Sequence, residues 1–186
     1  ILIMINVKDL LTILKKNNIN FFTGVPDSVL SQLSAHLDNN KSIENIITGN
    51  EGSAVALAVG HFLAKKKIPC VYMQNSGLGN AINPLASITH PKVYSIPLLL
   101  IIGWRGSPFR AKDEPQHEIK GKITKDLLKL LNIKSCVLRN LNDLKKLQKL
   151  IKYSEANNRP VCCLIERKTL LPINKTKNKD LNLKGI

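Results

Sequence analysis

The sequence predicts an α/β domain: a three-layer open sheet, mostly parallel, of about six strands with helices on both faces. Three observations carry this reading. Short apolar runs alternate with helix-length amphipathic segments along the chain. Most of the runs are apolar at successive positions, so both faces of those strands must be covered. The unusual polar residues gather directly after the runs, where the carboxyl ends of parallel strands place ligands.

In order, Asn6 is placed to cap a helix whose apolar positions Val7, Leu10, Leu11 and Leu14 recur at three- and four-residue spacing, closed by Asn17-Asn18. A strand from Ile19 to Val25 meets Pro26-Asp27-Ser28, where Asp27 or Ser28 is expected to cap a helix reaching Leu37. A strand at Asn45 to Thr48 leads to a helix from about Glu51 to Lys66, and a strand at Pro69 to Gln74 leads to a helix after Gly77. Pro97 to Trp104 is a continuous apolar strand, followed by a polar loop to Gly121 and a helix near Ile123 to Leu131. A strand at Ser135 to Arg139, a helix at Leu141 to Ser154 and a strand at Pro160 to Glu166 complete the domain, expected over residues 1–168. Residues 169–186 read as linker or tail.

Composition narrows the function classes. A chain of 186 residues with 44% hydrophobic content fits one domain, and no apolar run approaches the ~18 to 20 residues of a membrane span. The start is apolar but lacks a basic leader and a small-residue cleavage site, so no secretory signal is read and no membrane partner is expected. Cys70, Cys136, Cys162 and Cys163 lie in apolar strand-like stretches without C-x-x-C spacing, and adjacent Cys162 and Cys163 must point to opposite faces of a strand. Buried reduced thiols, and hence a cytoplasmic location, are the expectation. The net charge of +15 raises nucleic-acid binding. The lysines are scattered, or concentrated on late helices and in the tail, so a solvated basic surface is read and no nucleic acid is expected.

Four segments at strand ends carry the chemistry. Gly24-Val25-Pro26-Asp27-Ser28 supplies a turn and capping side chains; taken alone it is local punctuation. Asn50-Glu51-Gly52-Ser53-Ala54 puts a carboxylate at the mouth of an apolar, small-residue helix, where Glu51 also suits the helix dipole. Gln74-Asn75-Ser76-Gly77-Leu78-Gly79-Asn80 is a glycine-bearing loop before a helix N-terminus, yet no Gly-Lys-Ser/Thr follows and its spacing misses the dinucleotide fingerprint. Trp104-Arg105-Gly106 and Lys112-Asp113-Glu114-Pro115-Gln116-His117 bound a long loop dense in titratable groups. No metal-ligand cluster is read.

Together, Gly-Val-Pro-Asp-Ser, Asn-Glu-Gly-x-Ala-Val-Ala-Leu-Ala, Tyr-Met-Gln-Asn-Ser-Gly-Leu-Gly-Asn, the Trp-Arg-Gly strand end and Lys-Asp-Glu-Pro-Gln-His resemble the amino-terminal, pyrimidine-binding domain of the phosphonopyruvate decarboxylase family, thiamine-diphosphate-dependent enzymes. The resemblance covers about Val7 to Glu166. The related sulfopyruvate decarboxylase alpha subunit shares the Gln-Asn-Ser-Gly-Leu-Gly-Asn element. Two departures stand out. Ser-Pro-Phe-Arg-Ala between Gly106 and Lys112 is longer than the family pattern, with Phe109-Arg110 in place of a glycine, and no Gly-Asp-Gly for Mg²⁺ and diphosphate occurs. A complementary diphosphate-binding domain or subunit is therefore expected as partner, with a homo-oligomer, and the chain is expected to be inactive alone.

What the resemblance implies is a half-site for decarboxylation of 3-phosphonopyruvate, a small anionic 2-oxoacid, to phosphonoacetaldehyde and carbon dioxide, with thiamine diphosphate as cofactor and Mg²⁺ held elsewhere. Sulfopyruvate is the alternative substrate, and a non-catalytic scaffold or regulatory module of the same fold is the alternative class. By position Glu51 resembles the glutamate that hydrogen-bonds the aminopyrimidine N1′. Gln74, Asn75, Ser76, Gly77 and Gly79 match the loop lying along the pyrimidine. Asp27 and His117 match catalytic positions facing substrate, with Ser28 beside them. Arg105, Arg110 or Lys112 is expected to contact the distal anion, because such groups pair with phosphonate oxygens.

Overall fold

A computed structural model describes residues 4–109 and 113–172. The elements in chain order are α1 (Val7–Lys16), β1 (Phe21–Gly24), α2 (Ser31–Asp38), β2 (Glu44–Ile47), α3 (Glu51–Lys65), β3 (Cys70–Gln74), α4 (Leu78–Ser87), β4 (Leu99–Trp104), α5 (Pro115–Leu130), β5 (Lys134–Leu138), α6 (Leu144–Asn157) and β6 (Val161–Glu166). The six strands form one sheet in the order β2-β1-β3-β4-β6-β5, and every pairing is parallel. The expected three-layer α/β architecture is what the chain adopts, with the sheet wholly rather than mostly parallel.

Two cores sandwich the sheet. One face packs Leu10 and Leu14 of α1, Leu33 and Leu37 of α2, and Leu147 and Ile151 of α6 on Phe22, Tyr72, Leu99, Ile101 and Cys163. The other packs Ala54, Val55 and Ala58 of α3, Ala81 and Leu85 of α4, and Leu128 of α5 on Val71, Met73, Leu100, Ile102 and Cys162. Cys162 and Cys163 thus serve opposite cores, as strand alternation dictates. The central strands β1, β3, β4 and β6 are almost wholly buried. No described helix is long and apolar enough to cross a membrane.

Several boundaries differ from the sequence reading for identifiable reasons. Strand β2 is an edge, with Ile47 57% exposed, so its apolar residues do not report burial on two faces. Helix α2 begins at Ser31, because Asp27 Oδ2 accepts from Val29 N–H and Leu30 N–H and caps the preceding turn instead of the helix. Helix α5 starts at Pro115, eight positions before the apolar periodicity at Ile123. Its first two turns carry polar side chains, the exposed Ile119, and Gly121, which meets the backbone of Gly106, so packing there leaves no hydrophobic pattern. A 3-10 turn at Leu141–Asp143 precedes α6, which continues past Ser154 to Asn157. The packed unit also extends beyond residue 168: Thr169 and Leu170 are buried, and Leu170 bridges Ile5 in parallel.

Candidate active site

The carboxyl ends of β1, β3 and β4, together with the segment joining β2 to α3, bring all four sequence segments into hydrogen-bonded or close contact, with His117 of the fourth carried by α5. Asp27, just past β1, is 7% exposed. Its Oδ1 accepts from Gln74 Nε2 at 2.7 Å, and Gln74 Oε1 accepts from the Ser76 hydroxyl at 2.8 Å. Asp27 reaches this place because β4 carries Gly103 there; a Cβ at that position would overlap the carboxylate. The Gln74 amide therefore links the ends of two strands and orients the loop that follows.

That loop leads into α4 through a 3-10 turn at Asn75–Gly77. Asn75 is 4% exposed and structural in its contacts: its Oδ1 accepts from Arg105 N–H, while its Nδ2 donates to Arg105 O and to Thr124 Oγ1. It staples the end of β4 to α5. Gly77 lies against Glu51, the first residue of α3, so closely that a Cβ would overlap the Glu51 carboxylate. Asn50 caps α3 by accepting from Ser53 N–H at 2.9 Å, and Glu51 Oε2 accepts from Asn80 Nδ2 at 2.8 Å. The carboxylate is thus fixed between two helix starts, against Gly77, the turn residue without a side chain. Gly79 lies exposed two residues on, already within α4, with open space where its Cβ would be.

Arg105 behaves differently from a free anion ligand. Its guanidinium is held by Asp113, and its Nη1 stands 3.5 Å from the Ser28 hydroxyl. Paired this way, the Asp113 carboxyl sits well below the usual carboxylate range, chiefly through the Arg105 hydrogen bonds, and Arg105 is raised by the same contact. Gly106, at φ +66°, makes the turn that follows and lies against His117 O; a side chain there would be strained and would clash. His117 stands in the first turn of α5, and its Nδ1 is buried without a hydrogen-bond partner among the described residues. Arg110 and Lys112, both candidate ligands of a distal anion, lie outside the described residues.

Sequence reasoning passed over Asp113, Asn80 and Gly103 as individual actors. Asp113 was visible only as one of several charges in a polar loop, and its role depends on the turn at Gly106. Flanking the site, α4 from Leu78 to Ser87 carries no charged residue, and α3 carries none between Glu51 and Lys65 except His61. Leu57, Leu63 and Ile82 are more than a third exposed on these helices, an uncharged apolar surface on a chain of net charge +15. Among the described residues, no group of three or more His, Cys, Asp or Glu is placed to hold a metal ion.

Residues 6–126 match the family model described as thiamine pyrophosphate enzyme, N-terminal TPP binding domain. The chain is 38% identical over 140 residues to the phosphonopyruvate decarboxylase of Streptomyces viridochromogenes, covering 75% of this chain and 34% of that protein. It is 43% identical over 93 residues to sulfopyruvate decarboxylase subunit alpha of Methanocaldococcus jannaschii, covering 50% of this chain and 53% of that subunit. It therefore spans about a third of the first relative and about half of the second. A Rhodococcus jostii thiamine diphosphate-dependent 4-hydroxybenzoylformate decarboxylase superposes with a TM-score of 0.64 over 90% of this chain and 32% of its own, at 20% identity, which speaks for the fold. On the family match over most of its length, the chain belongs to the N-terminal TPP binding domains of thiamine pyrophosphate enzymes.

Proposed function

We propose that the chain is the pyrimidine-binding half of a decarboxylase acting on 3-phosphonopyruvate, giving phosphonoacetaldehyde and carbon dioxide. The observation that carries the reading is Glu51 set against the Cβ-less face of Gly77. The residues fit the pyrimidine end of thiamine diphosphate. A carboxylate with one oxygen held by Asn80 can share a proton with a ring nitrogen, and the missing side chain at Gly77 is what lets the carboxylate lie in this place. When bound, the cofactor supplies a carbon nucleophile and an electron sink for the carboxylate leaving as carbon dioxide.

This chain's residues would do the rest of the positioning. Glu51 holds a proton at the pyrimidine nitrogen, its hydrogen bond strengthened where water is excluded. Asp27, oriented by Gln74, and His117 face the substrate as proton carriers, with Ser28 beside them. Gln74, Ser76 and Gly77 belong to the turn beside the ring, Gly79 follows in the first turn of α4, and Asn75 sets the shape of that turn from behind. Lys112 and Arg110 are the proposed partners of the distal phosphonate, with Arg105 contributing charge while anchored to Asp113. Diphosphate and Mg²⁺ belong to a complementary domain or subunit, and the uncharged α3–α4 surface is where that partner would seat. Assembly into a homo-oligomer of such pairs and a cytoplasmic location complete the proposal.

Support for phosphonopyruvate comes from the relative bearing that name, which matches 75% of this chain against 50% for the sulfopyruvate subunit. Sulfopyruvate is the second reading, favoured by the higher identity within the shorter match. The deciding experiment combines this chain with the complementary domain, thiamine diphosphate and Mg²⁺, and measures carbon dioxide release from each acid. Faster turnover of 3-phosphonopyruvate is expected; preference for sulfopyruvate would reverse the substrate assignment, and no turnover of either would remove the decarboxylase reading.

A further inference from the structure

A cavity of about 820 Å³ opens at the end of the sheet remote from the candidate active site. Its walls come from segments at the amino ends of the strands: Ile19 and Asn20 before β1, Ser42 and Ile43 before β2, and Lys67 before β3. None of the described site residues named above lines it. One wall is a stripe of α1, Lys8, Leu11, Thr12 and Lys15, spaced three and four residues apart and therefore on one helix face. The other is the Ala35 to Asn39 side of α2.

The lining combines an apolar part, Leu11, Ile19, Phe22, Ala35 and Ile43, with three lysines, Lys8, Lys15 and Lys67. Among the described residues that line it there is no carboxylate. Asp38, the one acid of α2, is engaged by Asn45 Nδ2 at 3.0 Å and is not part of the wall. Lys8 and Lys15 are seven residues apart, so their Cα atoms stand about 10 Å apart along the helix axis. The volume falls within the roughly 300 to 1,000 Å³ of small-molecule sites, and an apolar pocket with a few placed polar groups is their usual composition.

We propose that this groove between α1 and α2 is a second, non-catalytic binding site for a small amphipathic anion, an aromatic or acyl body carrying a sulfonate, carboxylate or phosphate. The apolar lining takes the body and the lysines take the charge. Charge also selects the occupant. A second copy of this chain, at net charge +15, is repelled by a lysine-edged groove, as is residue range 173–186, with four lysines against one aspartate. The inference does not depend on which 2-oxoacid the active site takes.

The probe is 8-anilinonaphthalene-1-sulfonate, which has the proposed chemistry, and its uncharged counterpart is N-phenyl-1-naphthylamine. Fluorescence titration of the 186-residue chain should give saturable one-to-one binding of the sulfonate, weakening as salt rises. The double variant K8E/K15E should weaken sulfonate binding at least tenfold and leave the uncharged probe within about twofold. Ala35→Trp, which fills the groove, should weaken both, while Ile82→Asp on the opposite face of the sheet should weaken neither. Circular dichroism melts confirm that each variant is folded. Sulfonate binding unchanged in K8E/K15E and Ala35→Trp, binding lost in Ile82→Asp, or no saturable binding would each overturn the proposal.

Discussion

Asp113 accepts both prongs of the Arg105 guanidinium, Oδ2 from Nε–H and Oδ1 from Nη2–H, each at 2.7 Å. The same carboxylate also takes Gly106 N–H, Glu114 N–H and a weaker contact from Arg167 Nη1, while remaining 3% exposed. A bidentate pair with backbone donors added is the geometry in which a buried ion pair holds its place. It draws the end of β4 and the start of α5 together across the intervening loop.

Replacing Asp113 by Asn should therefore cost about 3 kcal/mol of folding stability, near the lower edge for breaking a buried pair, because Arg105 keeps 15% exposure. The acid limb should change too. A carboxyl depressed in the folded state contributes stability above its unfolded value near pH 4 and loses it as pH falls toward the folded value. Denaturant melts between pH 5 and about pH 2.5 should show the variant losing less stability per pH unit than the parent. Parallel curves would show that Asp113 is not a main source of the acid dependence.

The uncharged surface of α3 and α4 makes a second expectation. Ile82 is 38% exposed, so Ile82→Asp should move the stability of the chain alone by about 0.5 kcal/mol. If the complementary domain seats there, the same change should weaken association by roughly tenfold to a hundredfold, on the order of 1.4 to 2.7 kcal/mol. Sedimentation of the mixed domains reads this directly. Unchanged association would move the docking surface elsewhere.

Gly77 supplies a third. Gly77→Ala places a methyl into the Glu51 carboxylate, whose side chain can swing aside, so the folding cost should stay near 1 kcal/mol. The displaced carboxylate no longer meets the ring, and thiamine diphosphate should bind the assembled enzyme at least tenfold more weakly by calorimetry. Wild-type affinity would mean that the Glu51–Gly77 contact is packing only.

How much of this was legible in the sequence depends on the kind of contact. Strands β3, β4 and β6 were readable because burial on both faces leaves unbroken apolar runs such as Leu99 to Ile102. Helix α1 was readable to its cap, Asn6, whose side chain accepts from Lys8 N–H. The start of α5 was not, because Gly121 packs by backbone approach and writes no periodicity. In the site, Glu51 and the glycine loop could be named from residue types at strand ends. The bond from Gln74 to Asp27 spans 47 positions and exists only once β1 and β3 are adjacent, which no local pattern encodes. Arg105 was legible as a cation but not as an occupied one, since its partner is set by the turn at Gly106.

The last expectation concerns Glu51, where two roles diverge. As a helix-start carboxylate, Glu51 interacts with the α3 dipole, and Glu51→Gln should cost about 0.3 to 1 kcal/mol while leaving turnover nearly intact. As the acid-base partner of a pyrimidine nitrogen, it needs a group that can gain and lose a proton, which an amide of the same shape cannot do. Gln can still accept from Asn80 Nδ2, so the local fold should survive and the comparison stays clean. Turnover of 3-phosphonopyruvate by the assembled enzyme at saturating cofactor should then fall by on the order of a hundredfold or more, the range for losing positioned acid-base assistance. Proton exchange at the cofactor's reactive carbon should fall with it, since exchange precedes any contact with substrate. A loss of turnover with normal exchange would instead place Glu51 in substrate handling, and normal values of both would reduce it to a helix-start residue.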